Sequence, residues 1–385
     1  MKKCLMIFAL ILVFFAFGAS AETPIYSAAD LFTSRDLQQT ADVSEAVRYT
    51  VADGQDIHIT EEGVYVLSGT ASEVTVCVEA GSEDKVQLVL DGVSITNASA
   101  PAIRVETADK VFVTTSADSA LTVTGTMAEE ADGVIFSRAD LVLNGTATLT
   151  VTSTANGIVC KDDLRVTGGA YAVTAAAKAI DANDSIRVAG GTLTLTAGTD
   201  GLHAENSDDD AQGYIVISGG DITVTAGDDG VHATSVVQLD GGSLTVSAAE
   251  GIEGTYIQVN GGMIDIQSSD DGINAARKSS AYTPTVEINA GTVTVAMGGG
   301  DTDGIDSNSD IIINGGTISV TGSSAFDYDG SAQYNGGTII VNGQQVDSIP
   351  NQMMGGRGGM GGMGGNGGFG GNGGFGGGRG GRGGW

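Results

Sequence analysis

The sequence contains few of the residues that cross-link or interrupt a fold: three cysteines, four prolines and one tryptophan in 385 residues. Cys4 lies in the N-terminal apolar stretch, while Cys77 and Cys160 are 83 residues apart. In the repeating fold that the rest of the sequence predicts, this separation spans several turns, which exceeds the Cα distance that a disulfide tolerates. We therefore expect two buried apolar thiols, with neither a disulfide nor a zinc site.

Positive charge is also scarce. All 47 acidic residues lie between Glu22 and Pro350, and five of the 17 basic residues (Lys2, Lys3, Arg357, Arg379, Arg382) lie outside that range. The body thus has 12 basic residues against 47 acidic ones, a net charge of −35. Such a charge argues against nucleic acid or an anionic membrane as a partner.

A long hydrophobic run occurs once, at the N-terminus. Lys2 and Lys3 precede an apolar stretch from Leu5 to Phe17, and Ala19-Ser20-Ala21 supplies small residues for cleavage. This pattern predicts a signal peptide over residues 1–21. The stretch is short for a membrane span. We therefore expect a protein that is secreted or at the cell surface, without membrane insertion, and monomeric.

No segment has a sustained helical period; short alternating segments follow turn glycines instead. Glycine pairs open at Gly168, Gly190, Gly219, Gly241, Gly261, Gly315 and Gly336. Alternation after them predicts two inward columns: Leu193, Ile222, Leu244, Ile264, Val293, Ile318, Ile339 and Leu195, Val224, Val246, Ile266, Val295, Val320, Val341. The pattern predicts an all-β fold, a right-handed parallel β-helix over residues 63–345. An N-terminal segment or cap over 22–62 precedes it, and a disordered glycine-rich tail over 346–385 follows.

An acidic phrase of the form Asp/Glu-Gly-x recurs along the predicted solenoid, where equivalent residues stack. Two unit charges one rung apart repel by roughly 1 kcal/mol in water and by about 3 to 4 kcal/mol at a protein surface. Calcium relieves this repulsion with hard oxygen ligands, and glycine after each acid would let the backbone turn sharply. The candidate metal ligands are Asp181, Asp200, Asp228, Asp229, Glu250, Glu253, Asp270, Asp271, Asp301, Asp303, Asp306, Asp327 and Asp329.

Some copies of the acidic phrase also fit a role without metal, as Asx turns in which the aspartate caps its own backbone. An EF-hand loop starting at Asp306 fails because Ile311 stands where that loop requires glycine. His203 and His232 stack among carboxylates, which fits neighbours of a calcium site or wall residues better than zinc ligands.

Several phrases together resemble a bacterial family of secreted carbohydrate-binding proteins. They are Gly63–Gly69, Val86–Gly92, Pro101-Ala102-Ile103, the repeated Asp-Gly-Ile phrases and the glycine-rich tail. The resemblance covers roughly residues 35 to 345 and implies a right-handed parallel β-helix like that of polysaccharide (pectate) lyases. It also implies calcium binding and association with acidic plant polysaccharides and cellulose. Asn156, Lys178 and Ser324 replace the acid in their rungs, so the metal sites should not run the whole length.

Two insertions predict a binding face. They lie at Glu205–Gly213 and Ala276–Pro284, each directly after an acidic phrase. Equivalent positions on a solenoid place both loops on one side. The second loop carries the candidate substrate-binding residues Arg277, Lys278 and Tyr282.

The function predicted from the sequence is calcium-dependent binding of an acidic plant or cell-surface polysaccharide, polygalacturonate-like, with cellulose as a further ligand. One alternative is a calcium-dependent polysaccharide lyase or hydrolase, with Lys278, Arg277 or Lys178 as the base of a lyase. A second alternative is a structural or adhesion protein of the cell surface. No residue is assigned a catalytic role, and the enzyme question stays open.

Overall fold

The computed structural model describes residues 24–127, 129–299 and 302–351, and it is almost entirely β. Each rung contributes three short strands, which stack on the rungs before and after as three parallel ladders. The predicted parallel β-helix is confirmed. The helical segments among the described residues are Ala28–Leu31 and the 3-10 turn Glu129–Ala131, and neither is long and apolar enough to cross a bilayer. The predicted signal peptide and residues 352–385 of the predicted glycine-rich tail lie outside the described residues.

The first ladder consists of Val47–Thr50, Gly63–Ser72, Lys85–Asn97, Lys110–Ala117, Asp140–Gly145, Asp163–Val166, Ser185–Val188, Tyr214–Ile217, Val236–Leu239, Tyr256–Val259, Thr285–Ile288, Asp310–Ile313 and Ala332–Tyr334. The second consists of Ser119–Val123, Thr148–Ser153, Ala170–Ala175, Thr192–Ala197, Asp221–Thr225, Ser243–Ala248, Met263–Ser268, Thr292–Met297, Thr317–Thr321 and Thr338–Val341. The long strands Gly63–Ser72 and Lys85–Asn97 run through both ladders and join them into one 24-stranded sheet.

The third ladder forms a separate 12-stranded sheet. Its strands are Ile57–Ile59, Val76–Glu79, Ile103–Thr107, Gly133–Ser137, Asn156–Cys160, Ile180–Ala182, Leu202–Ala204, Asp229–Ala233, Glu250–Gly254, Ile273–Ala275, Asp303–Ser307 and Ser324–Tyr328. A last strand, Gln344–Val346, pairs antiparallel with Thr338–Val341 and covers that edge of the second ladder.

The core is the interior of the solenoid. Register across the second ladder stacks the two inward columns as predicted. Every member is buried except Val341, which is half-buried at the last rung. Cys77 and Cys160 are buried free thiols, as expected.

Two kinds of glycine hold the rungs close together. At the turn, Gly242 has a φ of +81°, and a Cβ there would lie 2.7 Å from the carbonyl oxygen of Gly220 in the preceding rung. The glycine of the acidic phrase differs, because Gly272 does not have a positive φ. A Cβ on Gly272 would collide with Val295. The expected sharp turn is therefore not its role; this glycine makes room for the core of the second ladder.

The segment before the first strand, residues 24–46, runs along the side of the first ladder. We call it the N-terminal strap. Its Leu31 packs with Tyr214, Val216 and Val236, and its Asp36 pairs with Lys110 at 3.3 Å. The sequence predicts an N-terminal segment or cap over residues 22–62, and within that range the strands Val47–Thr50 and Ile57–Ile59 already belong to the first and third ladders.

Candidate functional site

The outward surface of the third ladder carries most of the predicted site residues, and we call it the acidic face. Register there stacks one column in the order Asp181, His203, His232, Glu253, Asn274, Asp306 and Asp327. In the neighbouring column, Asp229 pairs with Glu250. Backbone hydrogen bonds between successive rungs extend this column to Asp271 and then to Asp303. Straight stacking of parallel strands brings residues roughly 20 to 30 positions apart in sequence into contact.

A pocket of about 570 Å³ opens on this face, which we call the histidine pocket. It is lined by Asp200, His203, Glu205, Asn206, Ser207, Asp210, Asp228, Asp229, His232, Thr234, Glu250, Glu253 and Lys278. Both predicted insertions border it. Ser279 Oγ donates to the carbonyl oxygen of Asp210 at 2.6 Å, and Ser280 Oγ donates to the Asp210 carboxylate, so the two loops meet beside the pocket.

Two stacked histidines form the floor of the histidine pocket. The rings of His203 and His232 lie 4.7 Å apart at an angle of 18°. His232 Nδ1 is 2.6 Å from Asp229 Oδ2 and 3.0 Å from Glu253 Oε2. Burial alone would lower the pKa of His232, but these two carboxylates raise it to about 9. At neutral pH His232 is therefore an imidazolium that ties the two acids together.

Glu253 has a second cationic partner. Lys278 Nζ lies 2.9 Å from Glu253 Oε1. Burial would raise the pKa of Glu253, yet hydrogen bonds from His232 and Lys278 hold it below its usual value. In contrast, burial and then the nearby charge of Glu253 raise the pKa of Glu250 to about 7. The pocket thus places cations and a half-protonated acid side by side.

Asp181 lies at the other end of the histidine stack and is also paired with cations. Its Oδ1 is 2.8 Å from His203 Nδ1 and 3.2 Å from Lys178 Nζ, and its Oδ2 is 3.9 Å from Lys161 Nζ. Burial alone would raise the pKa of Asp181, but these neighbours hold it below its usual value. This carboxylate is already neutralised by the protein.

Further along the solenoid, the acidic face changes character. Asp271, Asp303, Asp306 and Asp327 lie together, and we call them the aspartate cluster. Burial and then the charges of Asp271, Asp303 and Asp327 raise the pKa of Asp306 to about 7. Burial likewise raises the pKa of Asp271. Within the described part of the chain, Asp271, Asp306 and Asp327 take part in no ion pair, so their mutual repulsion is not relieved by a lysine, arginine or histidine.

Among the residues that the structure describes, buried oxygen atoms without hydrogen-bond partners lie in the same rungs as the aspartate cluster. They are Asn274 Oδ1, Thr302 Oγ1 and Ser324 Oγ. Asn274 pairs in register with Asp306, and Ser324 with Asp303. Buried polar atoms are normally hydrogen-bonded, and a hard cation satisfies such oxygens together with carboxylates. The residues present therefore fit calcium.

The remaining predicted ligands do not belong to the aspartate cluster. Asp228, Asp270 and Asp329 are exposed at the corners of their rungs. Asp200 is buried in the wall of the histidine pocket, where its Oδ1 accepts a hydrogen bond from the Asp229 backbone at 3.2 Å. Asp301 lies outside the described residues.

The three predicted substrate-binding residues separate. Lys278 lines the histidine pocket, and Arg277 is exposed beside it in sequence. Tyr282 instead packs edge-on against Tyr256, with ring centroids 6.1 Å apart, in the cluster that contains part of the N-terminal strap. The structure therefore brings Lys278, but not Tyr282, to the pocket.

Among the described residues, two groups have ligand atoms close enough to share an ion: the first is Asp229, His232 and Glu253, and the second is Asp140, Asp162 and Asp163. Arg165 already bridges the second group, with Nη1 2.8 Å from Asp140 Oδ2 and Nη2 2.9 Å from Asp163 Oδ2. Arg187 adds a second guanidinium at 2.7 Å from Asp163. These arginines compensate the charge, so this group differs from the aspartate cluster.

The ligands named from the sequence leave out the oxygens of Thr302 and Asn274, although Asn274 holds the same position after its glycine as Glu253 and Asp306 do. The wall residues Asn206 and Thr234 were also missed. Thr302 directly precedes an acidic phrase. This position indicates that Thr302 lies near the acids, but not that its hydroxyl lacks a hydrogen-bond partner. Asn206 belongs to the first insertion, whose pattern predicts a loop without assigning roles to its residues.

The fold and the acidic face define a class: a parallel β-helix with an extended polar side. The chain belongs to the family of carbohydrate-binding domain-containing proteins, whose profile matches residues 53–301 and 250–348.

A carbohydrate-binding domain-containing protein of Acetivibrio thermocellus is 33% identical over 128 residues, which are 31% of this chain and 45% of that protein. The match thus spans less than half the length of this relative. A solved structure described as the polysaccharide lyase-like protein from C. thermocellum, a gadolinium derivative, superposes with a TM-score of 0.51. It is 29% identical, and the superposition covers 57% of this chain and 96% of that one.

Proposed function

We propose that this protein is a secreted, calcium-dependent carbohydrate-binding protein that holds an acidic polysaccharide such as polygalacturonate along its acidic face. Membership of a carbohydrate-binding family supports the general activity. The aspartate cluster carries the specific proposal, because Asp271, Asp306 and Asp327 take part in no ion pair with another described residue and lie in the same rungs as unpartnered buried oxygens.

Calcium is the ion that this donor set suits. It takes six to eight oxygen ligands in flexible geometry, including carboxylates, amide oxygens and water. Asp271, Asp303, Asp306 and Asp327 would supply the charge, and Asn274 a neutral oxygen.

A bound cation would also reduce the electrostatic repulsion between this acidic protein and an acidic ligand. A body with a net charge of −35 repels a polyanion. Calcium on the acidic face would turn a local surplus of negative charge into a bridge to sugar carboxylates. Lys278, a short distance along the same face, would add a charge-assisted hydrogen bond.

The geometry favours binding over elimination. A lyase needs a side chain that accepts the proton at C5 of the sugar. Burial would lower the pKa of Lys278, but its hydrogen bond to Glu253 raises the pKa above its usual value. The other lysine candidate, Lys178, already contacts Asp181 and His203. We expect no unsaturated product from polygalacturonate.

The test is affinity electrophoresis in polygalacturonate, with calcium or chelator, for the wild type and Asp306→Asn. Asp265→Asn is the matched control, because Asp265 is exposed on the second ladder. We expect chelator and Asp306→Asn each to abolish most of the retardation, and the control to behave as the wild type. Equal retardation with and without calcium, or in neutral glucan, would overturn the proposal.

A further inference from the structure

The outer surface of the first ladder holds the N-terminal strap with amide side chains. The Ile25 backbone N–H donates to Gln258 Oε1 at 3.2 Å, and the Tyr26 N–H donates to Gln238 Oε1 at 2.8 Å. Gln238 Nε2 returns a hydrogen bond to the Tyr26 carbonyl oxygen at 2.8 Å. This column of outward side chains therefore binds an extended chain through its polar groups.

The column continues past Ile25. Register places Glu287, Ile312 and Gln333 in line with Gln258, one per rung. An open groove of about 320 Å³ lies over them, and Ile25 forms one wall. This volume is at the lower end of the range for small-molecule and sugar-sized sites. We call it the first-ladder groove.

Glu287 is the unusual residue in the first-ladder groove. It is 5% exposed. Its Oε2 accepts hydrogen bonds from Tyr256 Oη at 2.7 Å and from Gln258 Nε2 at 2.8 Å. Over the described ranges, Oε1 has no hydrogen-bond partner, and no lysine, arginine or histidine lies within ion-pair distance of the carboxylate.

A buried carboxylate without a counter-charge is costly, and natural proteins pair such groups. Here the surrounding described side chains supply no cation, while the unpartnered oxygen belongs to a residue that lines an open groove. A ligand ammonium group would both donate to Oε1 and compensate the charge. A uronate carboxylate would be repelled.

The rest of the groove suits a sugar. Asn335 Nδ2 donates a hydrogen bond to Asn314 Oδ1 at 2.7 Å, and this contact leaves the side-chain oxygen of Asn335, Oδ1, as an acceptor for a further donor. Gln333 is exposed, and Ile312 offers a small apolar surface for the face of a ring. Amides and hydroxyls exchange hydrogen bonds readily.

We propose that the first-ladder groove binds a glycan containing unacetylated amino sugars, with a sugar ammonium against Glu287 and hydroxyls on Asn335 and Gln333. This site is on a different ladder from the acidic face, carries the opposite ligand preference and needs no calcium. It therefore stands or falls independently of polygalacturonate binding.

The test compares three β-1,4-linked hexasaccharides that differ at C2: glucosamine, N-acetylglucosamine and glucose. Binding to the full chain is measured by calorimetry, with chelator present and at physiological salt to screen general attraction to the acidic body. We expect the glucosamine hexamer to bind at least about tenfold more tightly than the other two, the size of one charge-assisted hydrogen bond.

Variants locate the effect. Glu287→Gln keeps an acceptor for Tyr256 and Gln258 but removes the charge, and it should abolish the preference for glucosamine. Asp221→Asn removes one exposed acid from the second ladder and should leave the preference intact. If Glu287→Gln does not fold, the exposed pair Gln333→Ala and Asn335→Ala should weaken binding by about tenfold on the same reasoning.

Three results would overturn the assignment. Equal binding of the three hexasaccharides would mean that the sugar ammonium group does not contribute to binding. Equal losses in Glu287→Gln and Asp221→Asn would mean that a general electrostatic attraction is at work. If none of the three hexasaccharides binds measurably, a glycan is excluded as the occupant of the groove.

Discussion

Replacing Asp306 by Asn should stabilise the metal-free protein at neutral pH and reduce its stabilisation by calcium. Burial and three neighbouring aspartates raise the pKa of Asp306 from 3.8 to about 7 in the folded state. A pKa difference of about three corresponds to roughly 4 kcal/mol. Asp306 is partly exposed, so solvent screening reduces this to about 2 kcal/mol.

The direction follows from proton binding. Because the folded pKa is the higher one, the folded state holds the Asp306 proton more tightly than the unfolded chain. Stability is therefore lost as pH rises from about 4 to about 7, and the full cost is present above pH 7. An asparagine side chain carries no charge, so the variant escapes this loss while keeping a similar shape.

Calcium should reverse the order of stability of the wild type and the Asp306→Asn variant. At a hundredfold excess over its dissociation constant, a ligand of the folded state adds about 2.7 kcal/mol. The wild type should gain this stability, and the variant, which lacks one carboxylate, should gain much less. Urea unfolding of both proteins at pH 4.5 and 7.5, with chelator or calcium, measures these differences, and Asp265→Asn controls for the loss of any one acid.

Two outcomes would refute this reasoning. If the metal-free variant is no more stable than the wild type at pH 7.5, the aspartates do not repel one another as the geometry indicates. If both proteins gain equally from calcium, the ion binds elsewhere.

Three single contacts can also be tested by substitution. Gly272→Ala should destabilise the fold by about 1 to 3 kcal/mol through overpacking, measured by urea unfolding, whereas Gly299→Ala, where no atom lies within 4 Å, should have little effect. Lys278→Ala should weaken polygalacturonate binding severalfold in affinity electrophoresis without changing the thermal midpoint much; unchanged retardation would remove Lys278 from the binding face. The imidazole NMR signal of His232 should titrate near pH 9. Its contribution to stability should therefore be full below about pH 6.5 and lost as the pH rises through about 9. Glu253→Gln should lower the midpoint of this titration, and an unshifted midpoint in the variant would contradict the pairing.

Sequence reasoning succeeded where the structure repeats. The columns led by Leu193 and Leu195 follow from period-two alternation counted from the turn glycines, and register in the second ladder matches them residue by residue. The column from Asp181 to Asp327 was equally accessible, because a fixed position after each glycine stacks in a solenoid.

Where the chain leaves the repeat, the sequence predicts that the two insertions lie on one side, but it does not predict the path of the N-terminal strap or the orientation of single loop residues. The course of the N-terminal strap depends on contacts with residues up to 233 positions away, such as Ile25 with Gln258. The sequence predicts Tyr282 beside Lys278 because they share a loop, but that loop presents its two ends to different surfaces.

The chemistry of stacked acids was likewise decided by tertiary structure. Composition and periodicity alone determined the β-helix, its core and the line of carboxylates, since these rest on local alternation and turn geometry. Only the folded chain decides which acids have cations beside them. Glu253 meets Lys278 and His232, whereas Asp306 meets three aspartates. Such differences arise between rungs and loops, where distance and burial set each pKa, and no period in the sequence records them.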